Sequence, residues 1–530
     1  GGGFGTKGGV WPHTMMAAMA ARVVNRPVKL ALMRQHMVTT TGHRPATEQT
    51  MRLGADASGD ISAMRHDVLT DSNELSRFFE TCAFASKIMY DVPNFGMEHA
   101  VVNVNIGAPT YMRAPGEAPG MFALEVALDE LAYALKMDPI ALRLKNYAEQ
   151  DPQKKIPWSS KQLRQCYARG AELIGWTNRQ AEPRMTRQGN YLIGYGCASA
   201  TYPANRRAAG ARVRLYPDGR AIAASGGNDI GTGAYTVFRQ VTADALGLPI
   251  DKVLFELGDT AFPEAPVAGG SWLTASIAPA AAEASELALQ AIGTLAVADA
   301  KSPLKGRNLA ELGFGDGRVF LKDNPKVGET LAAVVKRTGK PYVEACARAD
   351  TMAAARDNAG LKQSQKPPCV LVEPESETDR DEDKYAFHSF GAQFCKVRVD
   401  PELGTVRVLD WASVVDAGTI LNPKTARNQI MGGVGFGIGM AMSEETAYDP
   451  RDGRPVARNL ADYHFAANAD VSPIQVEFVN IADPHINRLG VRGIGEIGIC
   501  GVPAAIANAV FNATGKRLRD LPLTPDKVMG

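Results

Sequence analysis

The sequence predicts an α+β fold in two main parts, and three observations carry that prediction. Helical apolar periodicities alternate with hairpin patterns along all 530 residues. One polar stretch, Glu149-Gln150-Asp151-Pro152-Gln153-Lys154-Lys155, interrupts the pattern. Glycine-rich loops abut probable helices at 1–9, 114–120, 226–233, 269–271, 432–439 and 493–501.

Taken in order, the alanine-rich run Met15 to Val24 reads as a helix after Pro12, and Pro27 to Leu32 as a strand. Gln49 to Ala55 and Ile61 to Leu69 flank a turn at Asp56 to Asp60, a hairpin signature. A long helix is expected from Glu117 to Leu135. Asp138 and Pro139 then supply the N-cap and first turn of the next, Ile140 to Asn146. The polar stretch is read as a boundary, giving a first part at 1–150, a linker and connecting segment at 151–190, and a second part at 191–530. Within the second part, hairpins form around Pro217-Asp218-Gly219 and around 400–404, and helices are expected near 233–246, 273–297, 423–442 and 502–513. The charge-rich run Glu373 to Asp383 reads as a solvated loop.

Composition narrows the function classes. Lys+Arg 58 against Asp+Glu 57 leaves a net charge of +1, so no broad basic surface is available for nucleic acid or anionic lipid. Hydrophobic content of 45% and charged content of 22% are those of a globular, soluble protein. No uninterrupted apolar run reaches the ~18 to 20 residues of a membrane helix. The cysteines Cys82, Cys166, Cys197, Cys346, Cys369, Cys395 and Cys500 show no C-x-x-C spacing, read as small buried apolar residues, and offer no iron-sulfur site. The histidines show no metal-binding spacing such as H-E-x-x-H and read as structural or exposed.

Glycine lets the main chain approach a ligand and turn consecutive N–H groups toward anionic oxygens, above all ahead of a helix. So many such loops suggest a large polyanionic cofactor between the two parts. Gly3, Gly5 and Gly8 fit G-x-G-x-x-G, but no strand precedes them and no acidic residue follows before Glu48, so a dinucleotide fold fails on context.

The ordered segments Gly1-Gly2-Gly3-Phe4-Gly5-Thr6-Lys7, Tyr111-Met112-Arg113-Ala114-Pro115-Gly116-Glu117, Gly227-Asn228-Asp229-Ile230-Gly231-Thr232-Gly233, Gly270-Ser271-Trp272-Leu273-Thr274-Ala275-Ser276, Asn422-Pro423 through Gln429, and Gly493-Ile494-Gly495-Glu496-Ile497-Gly498 carry a resemblance. Together they resemble the molybdopterin-binding subunit of the xanthine dehydrogenase and aldehyde oxidase family. Bacterial periplasmic aldehyde oxidoreductases and isoquinoline oxidoreductases look most similar.

That resemblance implies molybdopterin cofactor-binding domains of this type, with the cofactor, molybdopterin cytosine dinucleotide, at the interface of the two parts. Molybdenum would be held by the pterin dithiolene and by no protein ligand. Glu496 matches the carboxylate beside the metal, a general base for the metal-bound oxygen; read from sequence alone, it is equally a capping carboxylate for the helix near Val502. Arg113 matches the arginine that orients cofactor and substrate, the bland alternative being a turn arginine fixed by Pro115 and Gly116. Gly3, Phe4 and Gly5 match a loop approaching an oxo ligand, and Gly231, Thr232 and Gly233 the loop on the pterin phosphate side, where Thr232 replaces the glutamine of many relatives. Thr274, Ala275, Ser276 and Gln429 match further cofactor contacts, while Trp272 and Leu273 fall where the substrate channel is shaped.

Purine-oxidising relatives carry a glutamate directly after the first loop's lysine, and here that residue is Gly8. The implied reaction is therefore oxidation of aldehydes, aromatic ones first, with hydroxylation of N-heterocycles such as isoquinoline or quinoline as the alternative. A non-catalytic cofactor-binding or scaffold fragment is the alternative of another class. Electrons would leave to a [2Fe-2S] subunit and an FAD subunit. The compartment is open, with the bacterial periplasm favoured over the cytoplasm. The sequence starts inside the first matching motif, so the preceding family domain is expected to be supplied elsewhere. The isolated 530-residue chain should therefore be inactive or free of molybdenum, and metal analysis with a turnover assay checks this.

Overall fold

A computed structural model describes residues 2–75, 78–349 and 383–530. Its spine is the strand Tyr191–Pro203, in which Leu192 through Tyr202 are all buried. The strand lies in a five-stranded sheet in the order Ile474–Phe478, Val406–Asp416, His388–Val399, Tyr191–Pro203, Arg187–Gln188. Neighbours are antiparallel except the first pair, which is parallel. Two helices cover the sheet. Phe394 crowds Gly170 of helix Leu163–Ile174, while the next residue, Cys395, donates through Sγ to the Ala505 carbonyl of helix Val502–Thr514 at 3.2 Å. Because successive strand residues point to opposite faces, the two helices sit on opposite sides.

Helix Val502–Thr514 comes unusually close because both surfaces are made of small residues. A methyl group at Gly196 would collide with the Ala505 carbonyl, and one at Gly194 with that of Ala509. The run Ile497–Thr514 is long and apolar enough to cross a bilayer, contrary to the expectation that no stretch reaches that length, yet 94% of it is buried inside the protein. It is a core element.

The first part joins this same core through helix Glu117–Ala134. Glu125 on that helix pairs with Arg143 at 2.8 Å, both side chains fully buried. It also accepts from Tyr90 Oη at 2.6 Å and from Ser199 N on the central strand at 2.7 Å. The three-stranded sheet Thr47–Ala55, Ile61–Ser72, Asn94–Asn103 packs onto the same core through Ile61 and Met64.

A second core lies under the four-stranded sheet Val343–Ala349, Ala209–Leu215, Ala221–Ser225, Val253–Leu257, covered by helices Ala234–Leu246 and Leu273–Ala298. Pro279 lies inside the latter helix and cannot donate to the Ala275 carbonyl four residues back; Asn487 Nδ2 approaches that carbonyl instead, at 3.4 Å.

The expected helices appear at Pro12–Val24, Glu117–Ala134, Pro139–Lys145, Ala234–Leu246, Leu273–Ala298, Pro423–Met442 and Val502–Thr514. Asp138 caps the second of the paired helices through Ile140 N and Ala141 N. Three readings need correction or completion. Residues 27–32 form no strand, because among the described residues no neighbour pairs with them. The 151–190 stretch carries the buried side chains Trp158 and Tyr167 and a core-packed helix. Five cysteines are free and buried, but Cys346 is disulfide-bonded rather than simply apolar. Cys369 and the run 373–382 lie outside the described residues.

Overpacking a tight contact costs about 1 to 3 kcal/mol. Gly196→Ala should therefore lower the melting temperature by several degrees in a thermal scan. Gly54→Ala, where a new methyl has room, should leave it nearly unchanged.

Candidate active site

The loop 493–501 crosses the start of helix Leu273–Ala298 so closely that a methyl group at Gly493 would strike the Ser271 carbonyl. Glycine is required there by contact, and Ser389 Oγ fixes the crossing by donating to the Gly493 carbonyl at 3.0 Å. Three residues later Glu496 turns its carboxylate across the gap. Oε1 accepts from Ala114 N at 3.3 Å, and Oε2 accepts from Ser271 Oγ at 3.1 Å. The Glu496 N–H donates back to Ser271 Oγ at 3.0 Å, and the Tyr202 hydroxyl bonds the same carboxylate. The side chain caps neither the turn Ile497–Ile499 nor helix Val502–Thr514, which removes the capping alternative.

Arg113 is held between two other segments. Its N–H donates to the Phe4 carbonyl at 2.7 Å and its Nη2 to the Gln429 carbonyl at 2.7 Å. Behind it Arg44 donates to the Arg113 carbonyl at 2.5 Å and pairs with Glu80 at 3.1 Å, while Glu80 accepts from Gly116 N. Four stretches distant in sequence, around 4, 113, 271 and 429, thus meet the loop carrying Glu496. Phe4, Ala114 and Ser271 all adopt left-handed backbone, with φ of 51°, 54° and 57°. Such conformations each cost on the order of 1 to 3 kcal/mol away from glycine and persist where surrounding contacts over-determine them.

The electrostatics follow from burial. It pushes Glu496 above the usual carboxylate range, opposed by the bonds from Tyr202, Ala114 and Ser271 and by the charge of Arg113. It lowers Arg113 to about 10, which leaves the guanidinium charged at neutral pH. Glu117 is pushed up to about 8, chiefly by burial and also by the neighbouring Glu496 and Glu80 charges. At neutral pH Glu117 is therefore mostly protonated, and Glu496 is spared its negative charge.

The remaining candidates divide. Gly5 crowds Tyr111 of the arginine loop and so belongs to the convergence, whereas the contacts of Gly3, with Thr6 and Lys7, stay within its own loop. Phe4 packs on Phe436 with ring centroids 5.1 Å apart. The 231–233 loop reaches helix Pro423–Met442 through Thr425, one turn before Gln429. Its N–H groups are already engaged, however. Asp229 Oδ1 accepts from Gly231 at 2.8 Å, Thr232 at 2.9 Å and Gly233 at 3.3 Å.

Trp272 lies half-buried beside Ser271 with Arg207 over its ring at 5.2 Å. Leu273 is a residue of the second core. Ala275 is fully buried, and the Ser276 hydroxyl is spent within the chain, accepting from Arg207 N at 2.9 Å and donating to the Trp272 carbonyl at 2.7 Å. Thr274 is half-buried. Sequence reading missed Ser271, Tyr202, Glu117 and the Arg44–Glu80 pair. Ser271 and Glu117 had a signal, each lying in a matched segment, Ser271 after two glycines and Glu117 at the end of the arginine loop.

The molybdopterin group that the resemblance implies fits these residues. The buried Nε of Arg113 has no partner, and the N–H groups of Phe4 and Gly5 make no hydrogen bond among the described residues.

Comparison with known proteins gives a concordant picture. The molybdopterin cofactor-binding domain family matches residues 1–147 and 169–472, so Glu496 lies beyond the matched ranges. The chain is 35% identical over 534 residues to the aldehyde oxidoreductase molybdenum-binding subunit PaoC of Escherichia coli strain K12, covering all of this chain and 66% of that protein. It is 30% identical over 542 residues to the putative xanthine dehydrogenase molybdenum-binding subunit XdhA of the same strain, covering all of this chain and 68% of that one. Among solved structures, quinoline 2-oxidoreductase from Pseudomonas putida 86 superposes with a TM-score of 0.84 at 22% identity, over all of this chain and 67% of that one. The aldehyde oxidoreductase of Desulfovibrio gigas superposes at 0.75 and 23% identity, over all of this chain and 54% of that one. At these identities the superpositions establish the fold.

The Glu117 shift has a measurable consequence for stability. Its pKa in the folded protein, about 8, lies above the usual 4.5, so its contribution is fully present below pH 4.5 and is lost as pH rises through about 8. Glu117→Gln removes this titration. The melting temperature of Glu117→Gln relative to wild type should rise steadily between pH 5 and pH 8 and level off above, as thermal scans across that range would show.

Proposed function

The chain belongs to the molybdopterin cofactor-binding domain family, and on that footing we propose that it is the catalytic molybdenum-binding part of a hydroxylase that oxidises aldehydes, aromatic ones first, to carboxylic acids. Its single strongest support is the meeting of Glu496, Arg113, Phe4, Ser271 and Gln429 at one place. Residues 1–150 and 191–530 form the two cofactor-binding parts, joined by 151–190. The chain spans 66% of the PaoC subunit, so the activity belongs to the complete enzyme.

When bound, the molybdenum-pterin group, in this reading the cytosine dinucleotide form, supplies the redox chemistry by withdrawing two electrons from the substrate carbon while water supplies the oxygen. The chain's residues do the rest. Glu496, held rigidly by neutral donors, accepts the proton released as that oxygen bonds to carbon. Arg113, still charged and with Nε free, steadies negative charge developing on the substrate oxygen. The N–H groups of Phe4 and Gly5, which make no hydrogen bond among the described residues, would be available to the cofactor, and Gln429 fixes Arg113 through its carbonyl. Phe4 on Phe436, with Trp272 beside Ser271, provides the aromatic surfaces that favour an aromatic aldehyde. Electrons pass to a [2Fe-2S] subunit and onward to an FAD subunit.

Glu496→Gln in the complete enzyme should lower kcat by at least ~100-fold while molybdenum content stays at the wild-type level. Undiminished turnover would remove the carboxylate from the mechanism. Benzaldehyde should be oxidised faster than isoquinoline or quinoline, and the reverse order would move the substrate class to N-heterocycles.

A further inference from the structure

We propose that Ser271 is the positioning residue for Glu496, a one-hydroxyl clamp that fixes the orientation of the carboxylate and holds it in its proton-accepting form. This inference rests on Glu496 as the general base.

A serine hydroxyl has one hydrogen to give and lone pairs to receive. Here both capacities are spent on the same residue: the oxygen accepts from the Glu496 N–H at 3.0 Å, and the O–H donates to Glu496 Oε2 at 3.1 Å. The main-chain bond fixes where Oγ sits and leaves its hydrogen free to point at Oε2. One small side chain therefore ties the backbone and the carboxylate of Glu496 into a ring, which limits rotation of the glutamate side chain. The other oxygen, Oε1, is tied separately to Ala114 N at 3.3 Å. The two carboxylate oxygens are thus addressed by different loops.

The backbone around Ser271 is built for this one contact. Ser271 sits at φ 57° directly after Gly270 at φ 59°, so two consecutive residues adopt left-handed conformations just before a 26-residue helix begins at Leu273. Gly493 offers no side chain where the Ser271 carbonyl passes. An ordinary N-cap would turn its hydroxyl onto N–H groups of its own helix; Ser271 turns it onto another loop. The main chain here adopts an unfavourable conformation that helix capping does not require, and its visible result is the clamp.

A hydrogen bond to the charged form favours that form. Loss of the clamp should leave the base present but less readily ionised and less well aimed, so the defect should depend on pH.

The test uses the complete molybdenum-loaded enzyme with benzaldehyde and follows kcat/KM and kcat from pH 5 to 9.5 for Ser271→Ala, Ser271→Gly and Glu496→Gln. Ser271→Gly removes the hydroxyl while suiting the left-handed backbone, so its defect cannot be assigned to strain. Both Ser271 variants should move the acid limb of the kcat/KM profile up by about one pH unit and lower kcat/KM about ten-fold near pH 6, with most of kcat recovered at pH 9 and molybdenum content unchanged. An unmoved acid limb in Ser271→Gly, with Glu496→Gln inactive, overturns the clamp and leaves the base assignment standing. Loss of molybdenum from Ser271→Gly also overturns it, by showing a merely structural role. An active Glu496→Gln enzyme instead overturns the reading on which the clamp depends.

Discussion

The fully buried pair of Glu125 and Arg143 is the interaction on which the arrangement of the two parts depends. Removing two charges from water is expensive, and a pair of this kind persists only when its remaining hydrogen-bonding capacity is met. Here it is. Glu125 takes bonds from Tyr90 and from the main chain at Ser199, and Arg143 gives its other N–H groups to the carbonyls of Pro139 and Glu125. Asn508 of the core helix adds a bond to the Glu125 carbonyl. The long helix of the first part is thereby registered against both the central strand and the helix that follows the Glu496 loop. Only with that registration can Ala114, just before the long helix, reach a carboxylate just before the core helix.

The site itself trades local strain for fixed geometry. Three left-handed non-glycine residues surround Glu496, each contributed by a different stretch of chain and each held by a hydrogen bond that its conformation makes possible. Burial works against charge on both Glu496 and Arg113, and their mutual attraction works for it. With Glu117 protonated, Glu80 pairs with the guanidinium of Arg44, and the charge of Arg113 favours the ionised form of Glu496 against the effect of burial. Such a cluster tolerates exclusion of water, which strengthens every interaction within it.

Much of this was legible in the sequence, and the exceptions have physical causes. Helices with clear caps, such as the one begun by Asp138 and Pro139, were placed within a residue or two because the cap chemistry is local. The strand Tyr191–Pro203 escaped notice because it is buried on both faces and lacks the alternation that betrays a half-buried strand. Residues 27–32 alternate like a strand, but a strand needs a neighbour that sequence does not reveal. Of the residues that meet around the Glu496 loop, Glu496, Arg113, Phe4 and Gln429 were singled out through ordered motifs. Leu273 and Ser276 came with the same motif and turned inward, since helix rotation decides which members of a matched run face a cleft. Tyr202 and the Arg44–Glu80 pair carry no motif at all. Their partners lie far away along the chain, and only the folded molecule brings them in.

The contact of Gly194 and Gly196 with the carbonyls of Ala505 and Ala509 limits how such a protein can change over generations. Where a strand and a helix meet through side chains of ordinary size, a gain on one side can be matched by a loss on the other. This seam sets hydrogen against main-chain carbonyls, which no substitution can shrink, so no reciprocal exchange remains open to it. Drift is diverted to the outer surfaces of the same elements, and the seam becomes the fixed datum from which the rest of the molecule diverges.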